Sequence, residues 1–201
     1  MAENQSHLIS HISNANRESM MMEKSIPVNQ VADVKFFITE RKAKIAMTCQ
    51  IKFPSNVFVS SAVIGNKVII RSDLAAVRIE AYSILCDHVI LRPPLDKQRK
   101  YTSMTIGRYT IVGENTMLKA SVIGNGVRIG RNCILEDNVN VQSYSIILDG
   151  SIVPEGTVIP KYCVFGGKPA RFIKRIPETI FNDHVKEAIK YYNSIDVTKN
   201  S

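Results

Sequence analysis

Tryptophan is absent from the 201 residues, and no Lys- or Arg-rich stretch interleaves with aromatic residues in the repeated way of a nucleic-acid platform. Single-stranded nucleic acid is held by such alternations of cation and ring, so nucleic acid is not an expected partner. Cysteine is sparse: Cys49, Cys86, Cys133 and Cys163 show no C-x-x-C spacing. With no basic-then-apolar start ahead of them, a reduced intracellular protein is the expectation. Long apolar runs are missing too, so no direct insertion into a membrane is expected. Histidine occurs only at His7, His11, His88 and His184, which leaves nearly half the chain without an imidazole for acid–base work or metal binding.

What is present suits one domain with a sizeable core plus tails, at 45% apolar and 22% charged residues. The formal net charge of +8 could signal an anionic partner. Yet the cations are spread from Arg17 to Lys199, with one dense cluster at Lys168, Arg171, Lys174 and Arg175. The reading is a solvated basic surface. Residues 1–33 are polar and hold no period, so a disordered or weakly ordered extension is expected there. The rival reading is a short helix docked through Met20, Met21 and Met22.

The strongest signal is a repeat of six. From Ile123, every sixth residue is large and apolar: Ile129, Leu135, Val141, Ile147, Val153, Ile159 and Phe165. At this apolar frequency one register does so by chance about once in six hundred. Four residues after each stands a small or short one, among them Val127, Cys133, Val139, Ser145, Ser151 and Cys163. The register extends back through Leu118, Val112 and Ile106, and again through Leu85 and Ile79. A period of six fits neither a helix nor a heptad. It fits a left-handed parallel β-helix, in which a short strand and a tight corner make one side of a triangular prism. The first position points inward and needs bulk. The fifth points inward beside a corner, where only a small side chain fits, and Gly, Asn and Asp supply the corner conformations. Cys133 and Cys163 sit at such positions and read as packed thiols.

The expected organisation is therefore an all-β prism over 34–175, an external loop at 92–104, a C-terminal helix over 176–195 and a tail at 196–201. One side is a residue short between Leu118 and Ile123. The loop opens with Arg92-Pro93-Pro94 and is filled with charge through Tyr101. The helix has Pro177 and Glu178 at its start and apolar residues Ile180, Phe181, Val185, Ala188, Ile189 and Tyr192 at helical spacing to about Asn193.

Two enzyme chemistries are raised by local resemblance. Arg71-Ser72-Asp73 followed by Val77-Arg78-Ile79 resembles a stretch of the γ-class carbonic anhydrases, which bind zinc through three His across a trimer. Their ligand places fall here near Leu91 or Arg92, at Arg108 and at Gly113, and none is His. Gly167-Lys168-Pro169-Ala170-Arg171 resembles the end of hexapeptide acyltransferases, but no His lies in the last coils to act as base. Arg71 and Asp73 stand two apart on one strand, so an ion pair at the coil surface is expected.

With these residues in hand, the chain resembles the dynactin subunit 5 family from about 37 to 195. The resemblance is carried by Ile70 to Arg78, by Leu91-Arg92-Pro93-Pro94 with the charged loop behind it, and by Ile147 to Gly150 running into Val158-Ile159-Pro160. Ile176-Pro177-Glu178 and the pair Tyr191-Tyr192 complete it. Ser72 and Glu80 stand where the family usually has Gly. The resemblance implies a non-catalytic, cofactor-free subunit of the pointed end of dynactin, in the cytoplasm and on the cytoskeleton, supporting cargo and adaptor binding by dynein in microtubule-based transport. It implies pairing with a sister β-helix, dynactin subunit 6, beside the pointed-end actin-related protein and the large zinc-binding subunit. Candidate interface residues are Arg71, Asp73, Arg78, Arg92, Pro93 and Pro94. The alternative is an enzyme like the carbonic anhydrases or acyltransferases just named.

Overall fold

The computed structural model describes residues 34–195, so the expectations for 1–33 and 196–201 lie outside the described residues. Those 162 residues form a left-handed parallel β-helix of about six turns, followed by one α-helix. Its sides are a nine-stranded sheet 1 and the six-stranded sheets 2 and 3, visited in that order on each turn.

The repeat of six becomes three inward ladders. In sheet 1, Ile64, Leu85, Val112, Ile129, Ile147 and Phe165 pair rung upon rung. Sheet 2 stacks Ile51, Ile70, Leu91, Leu118, Leu135 and Val153. Sheet 3 stacks Val59, Ile79, Ile106, Ile123, Val141 and Ile159. Most of these side chains are fully buried and together they are the core. Each inward residue sits about 4.8 Å from the equivalent one in the next coil, so the ladders pack as continuous columns.

The small inward positions do more than fit. Ser83 donates to the carbonyl of Gly107 at 2.7 Å, Thr110 to Gly124 at 2.7 Å and Thr116 to Gly130 at 2.9 Å, each reaching the following coil. Ser145 likewise donates to Pro160 O at 2.7 Å. The carbonyls left over at the corners are thereby paired, and the hydroxyls are buried without an unmet bond.

The irregular steps concentrate at the corner between sheets 2 and 3. Leu118 to Ile123 is short there, as expected, and the longer steps from Ile51 to Val59 and from Ile70 to Ile79 fall at the same corner. The excursion after Leu91 also leaves from it and ends at Ser103, because Met104 is already a fully buried strand residue. It folds back on the prism through Leu95 N–H to Asp137 at 2.9 Å and Asn138 to Leu95 O at 2.5 Å.

The last strands, Cys163–Gly167 and Ala170–Arg175, form an antiparallel hairpin that ends sheet 1. The helix α1 then runs Ile180–Ser194, starting later than Pro177. Pro177 to Thr179 form a lead-in turn instead, with N–H groups of Ile180, Phe181 and Asn182 each bonded three residues back.

Candidate interaction surface

Sheet 1 presents Lys44, Val63, Ile84, Ile111 and Arg128 outward, and α1 lies over them. Val63, Ile84 and Ile111 are buried, and so is Ala188 on the facing side of the helix. Glu187 pairs with Arg128 near one end. At the other, Lys44 Nζ donates to the carbonyls of Tyr192 at 2.8 Å and Ile195 at 2.7 Å, capping a helix that has no basic residue in its last turn.

The corner that leads into sheet 1 carries a column that the sequence reading missed. Tyr82, Tyr109, Tyr144 and Tyr162 all adopt positive φ there, in line with Gly126. Left-handed backbone costs an ordinary residue roughly 1–2 kcal/mol. Here it stacks Tyr82 on Tyr109 at 5.5 Å and Tyr144 on Tyr162 at 5.3 Å. Tyr192 meets Tyr82 edge-on at 5.3 Å and Phe181 meets Tyr144 edge-on at 5.0 Å, so α1 clips onto both halves of the column. The break at Gly126 is filled from the helix: His184 Nδ1–H donates to Gly126 O at 2.7 Å. Burial, then the nearby Arg128 charge, hold the His184 imidazole below its ordinary pKa. The signal was in the sequence, since all four Tyr stand three residues before an inward sheet 1 position.

The places where a γ-class carbonic anhydrase carries its zinc ligands do not fit a metal. Of the two candidates at the first place, Leu91 is fully buried in the core and Arg92 is a cation 3.8 Å from Asp137. Arg108 is a cation lying over the Tyr109 ring at 5.4 Å. A Cβ at Gly113 would lie 2.6 Å from the Gly130 carbonyl carbon, so no imidazole could be carried there without moving the next coil. His88 is exposed at a corner and His184 is committed to Gly126. Among the described residues no three His, Cys, Asp or Glu side chains gather as a ligand set. Buried Cys86 is equally unsuited to nucleophilic work, its thiol pushed up to about 12 by desolvation.

Sheet 2 offers a different surface. Its outward rungs above Gln50 are Ile69, Ile90, Met117, Ile134 and Ile152, five apolar side chains in register and each half-buried. Beside them runs a second column, Lys52, Arg71, Arg92 and Lys119, the residues that follow the inward positions. Arg71 holds Asp73 in a two-pronged pair, Nε to Oδ1 at 2.9 Å and an η-nitrogen to Oδ2 at 2.8 Å. Arg92 lies between Asp137 at 3.8 Å and the Tyr101 ring at 5.5 Å, and Lys119 meets Glu136 at 2.8 Å. An apolar strip about 20 Å long with a charged shoulder is therefore open to solvent among the described residues.

The structure brings together only some of the candidate interface residues. Arg71, Asp73 and Arg92 border the sheet 2 strip. Arg78 is on sheet 3, over the Phe58 ring at 5.3 Å and 3.7 Å from Glu80. Pro93 and Pro94 are buried beneath the loop. Ser72, at the usual Gly position, is buried and bonded both ways to Phe53, accepting from its N–H at 3.2 Å and donating to its carbonyl at 3.0 Å.

These features define a hexapeptide-repeat β-helix protein with one face covered by its own helix and one apolar face open. Solved structures of the same fold include a hexapeptide transferase family protein from Anaplasma phagocytophilum, at TM-score 0.61 and 18% identity over 75% of this chain and 89% of that one. AntD, an N-acyltransferase from Bacillus cereus, superposes at TM-score 0.59 and 17% identity over 76% of this chain and 88% of its own. The chain belongs to the dynactin subunit 5 family, whose sequence pattern matches residues 29–199. Among curated proteins it is also similar to the mitochondrial γ carbonic anhydrase 1 of Arabidopsis thaliana, 28% identical over 88 residues, which are 44% of this chain and 32% of that protein. γ Carbonic anhydrase 2 of the same plant is 29% identical over 73 residues, 36% of this chain and 26% of its own. The chain thus spans about a third or less of the curated relatives it matches.

Proposed function

We propose that this protein is a non-catalytic subunit of the dynactin pointed-end complex and acts as a rigid interaction scaffold. The observation that carries the reading is the open apolar strip of sheet 2, on a prism whose positions matching the carbonic anhydrase ligands hold Leu91 or Arg92, Arg108 and Gly113. A sister β-helix, dynactin subunit 6, pairs side by side through that strip. Ile90, Met117 and Ile134 supply the dry centre, while Arg71, Asp73 and Arg92 form the rim. Pro93 and Pro94 fix the loop from beneath. Arg78, on sheet 3, serves a separate contact with the pointed-end actin-related protein or the large zinc-binding subunit. The assembly sits in the cytoplasm on the cytoskeleton and supports cargo and adaptor binding by dynein in microtubule-based transport.

A pairing of this kind buries on the order of 1,600 Å², with the energy concentrated at its centre. Ile134→Glu should abolish recovery of dynactin subunit 6 with the tagged chain. Arg71→Glu, at the rim, should weaken it. Circular dichroism should be unchanged in both, because each side chain points away from the core. Equal recovery by wild type and Ile134→Glu would overturn the placement on sheet 2. Failure to recover any dynactin subunit at native stoichiometry would overturn the functional reading itself.

A further inference from the structure

The end of the solenoid carries a feature that pairing through sheet 2 does not use. The strand Ala170–Arg175 is the last of sheet 1 and has a neighbour on one side only, Cys163–Gly167. A strand edge of this kind leaves backbone donors and acceptors unclaimed and is a template for another chain. Natural edges are blunted with charge, and Arg171, Lys174 and Arg175 could be read as such guards. Two observations oppose that reading. Phe172 is 53% exposed and Ile173 41% exposed in the middle of the edge; Phe172 meets the Phe165 ring, whereas Ile173, the extra residue of a β-bulge, lies over Gly166 on the other face. Guarding against association is not served by an exposed ring beside an exposed β-branched residue.

The charge is also one-sided. From Gly156 to Pro177 the chain has Lys161, Lys168, Arg171, Lys174 and Arg175 and no carboxylate at all. None of these cations takes part in the ion pairs found among the described residues. The cations of sheet 2, by contrast, mostly have acidic neighbours. An open edge, apolar side chains on both its faces and uncompensated cations flanking them ask for three things in one ligand. They call for a backbone that can pair, apolar side chains on both faces and carboxylates beside them.

We propose that this edge binds an extended acidic segment of a partner protein by strand addition. Its backbone completes the edge of sheet 1, its apolar side chains cover Phe172 and Ile173, and its carboxylates meet Arg171, Lys174 and Arg175. Phosphate-rich ligands share the charge but cannot use the edge. The strand geometry therefore favours a peptide over an anionic membrane or an RNA.

The test uses the full chain and a fluorescein-labelled ten-residue peptide, Glu-Val-Val-Glu-Glu-Val-Val-Glu-Glu-Val, which presents Val and Glu on both faces of a strand and is read by fluorescence anisotropy. A second copy of the peptide is N-methylated at alternate amides so that it keeps its charge but cannot form a ladder. The wild type should bind the first peptide and lose about tenfold in affinity for the methylated one, the equivalent of a charge-independent backbone term. Lys174→Glu combined with Arg171→Glu should lose about tenfold or more for the unmodified peptide, with circular dichroism unchanged. Hydrogen exchange at residues 170–175 should slow on binding. Equal affinity for both peptides would refute strand addition, as would failure of the unmodified peptide to bind. Vesicles of phosphatidylcholine with a quarter phosphatidylserine, and a poly(A) RNA, complete the set. Tighter binding of either than of the peptide would assign the cluster to phosphate instead. The sheet 2 variant Ile134→Glu should bind the peptide normally, which keeps this result separate from the pairing reading.

Discussion

Replacing Val139 by Asp places a carboxyl at a small inward position that is fully buried beside a corner of the prism. Two costs add. Removing the buried Val forfeits about 2 kcal/mol of transfer free energy. The new carboxyl has no polar partner inside the core, so it must stay protonated. Holding a group of ordinary pKa near 3.9 neutral at pH 7 costs about 4 kcal/mol at 1.36 kcal/mol per unit. The sum, about 6 kcal/mol, is comparable with the whole stability of many domains. The folded-state pKa of this carboxyl is raised, so its electrostatic penalty is fully present above that pKa and vanishes as pH falls to the unfolded value. The gap to wild type should therefore shrink to about 2 kcal/mol near pH 4. The neighbouring residue is the control. Asn140 points outward and is half-buried, and Asn140→Asp should stay within about 0.5 kcal/mol of wild type. Denaturant titrations followed by circular dichroism at pH 7 and pH 4 measure both. A one-residue slip of register would exchange the two outcomes, because alternate residues face opposite sides. If Asn140→Asp destabilised and Val139→Asp did not, the inward ladders assigned here would be wrong.

Ser145→Phe should fail to fold or lose several kcal/mol, since the ring overfills a corner and removes the bond to Pro160 O; Lys97→Ala, on the exposed loop, should leave the thermal midpoint unchanged. His184 has a folded-state pKa below its unfolded value. Its contribution is therefore present above the unfolded value near 6.5 and falls as pH drops toward the folded one, so thermal stability should decline from pH 7 to pH 5 in wild type and less steeply in His184→Gln. Elemental analysis of the purified protein should find no stoichiometric zinc, and carbon dioxide hydration should stay at background; a metal held in fixed ratio would overturn the reading of Arg108 and Gly113.

The prism was legible because burial on a coil repeats strictly: a side chain six residues on meets the same wall, so the inward ladder from Ile79 to Phe165 could be read without a structure. The coils before Ile79 were less legible. Between Ile51 and Ile79 the chain inserts a 3-10 turn at Pro54–Asn56 and the Arg71 to Ala76 turn, which break the count while preserving the stacking. The helix was visible from its period, but its start was set by a tighter lead-in turn that composition does not encode. What the sequence reading could not supply was outward register. Ile69, Ile90, Met117, Ile134 and Ile152 each precede an inward residue, and a period of six does not say which side of the prism they face. Only the three-sided geometry shows that sheet 1 hides its equivalents under α1 and sheet 2 does not. For the same reason Arg71 and Arg92 proved to be neighbours in one column, while Arg78, closer to Arg71 in sequence, faces another side.

The position of the insertions follows from the helix. In a triangular prism the corner between sheets 2 and 3 is the one opposite sheet 1. The corner entering sheet 1 is held by the Tyr column, and the next by the positive-φ line of Lys67, His88, Asn115, Asn132 and Gly150. An insertion at either would separate stacked rungs, so extra residues accumulate at the far corner, which carries neither a stacked ring column nor the helix. The Arg92 to Ser103 loop springs from there and leans on Asp137 and Asn138, with Arg92 and Tyr101 at the margin of the sheet 2 strip. A partner seated on that strip must meet the loop's base. Replacing residues 95–101 by a short Gly-Ser turn removes the two bonds from Leu95 and should cost about 1–3 kcal/mol of stability, leaving the prism folded. Recovery of dynactin subunit 6 should fall together with it, by less than in Ile134→Glu, since the loop supplies rim and not centre. Full recovery of the partner by a folded loop-replaced chain would show that the contact lies further along sheet 2, away from this corner.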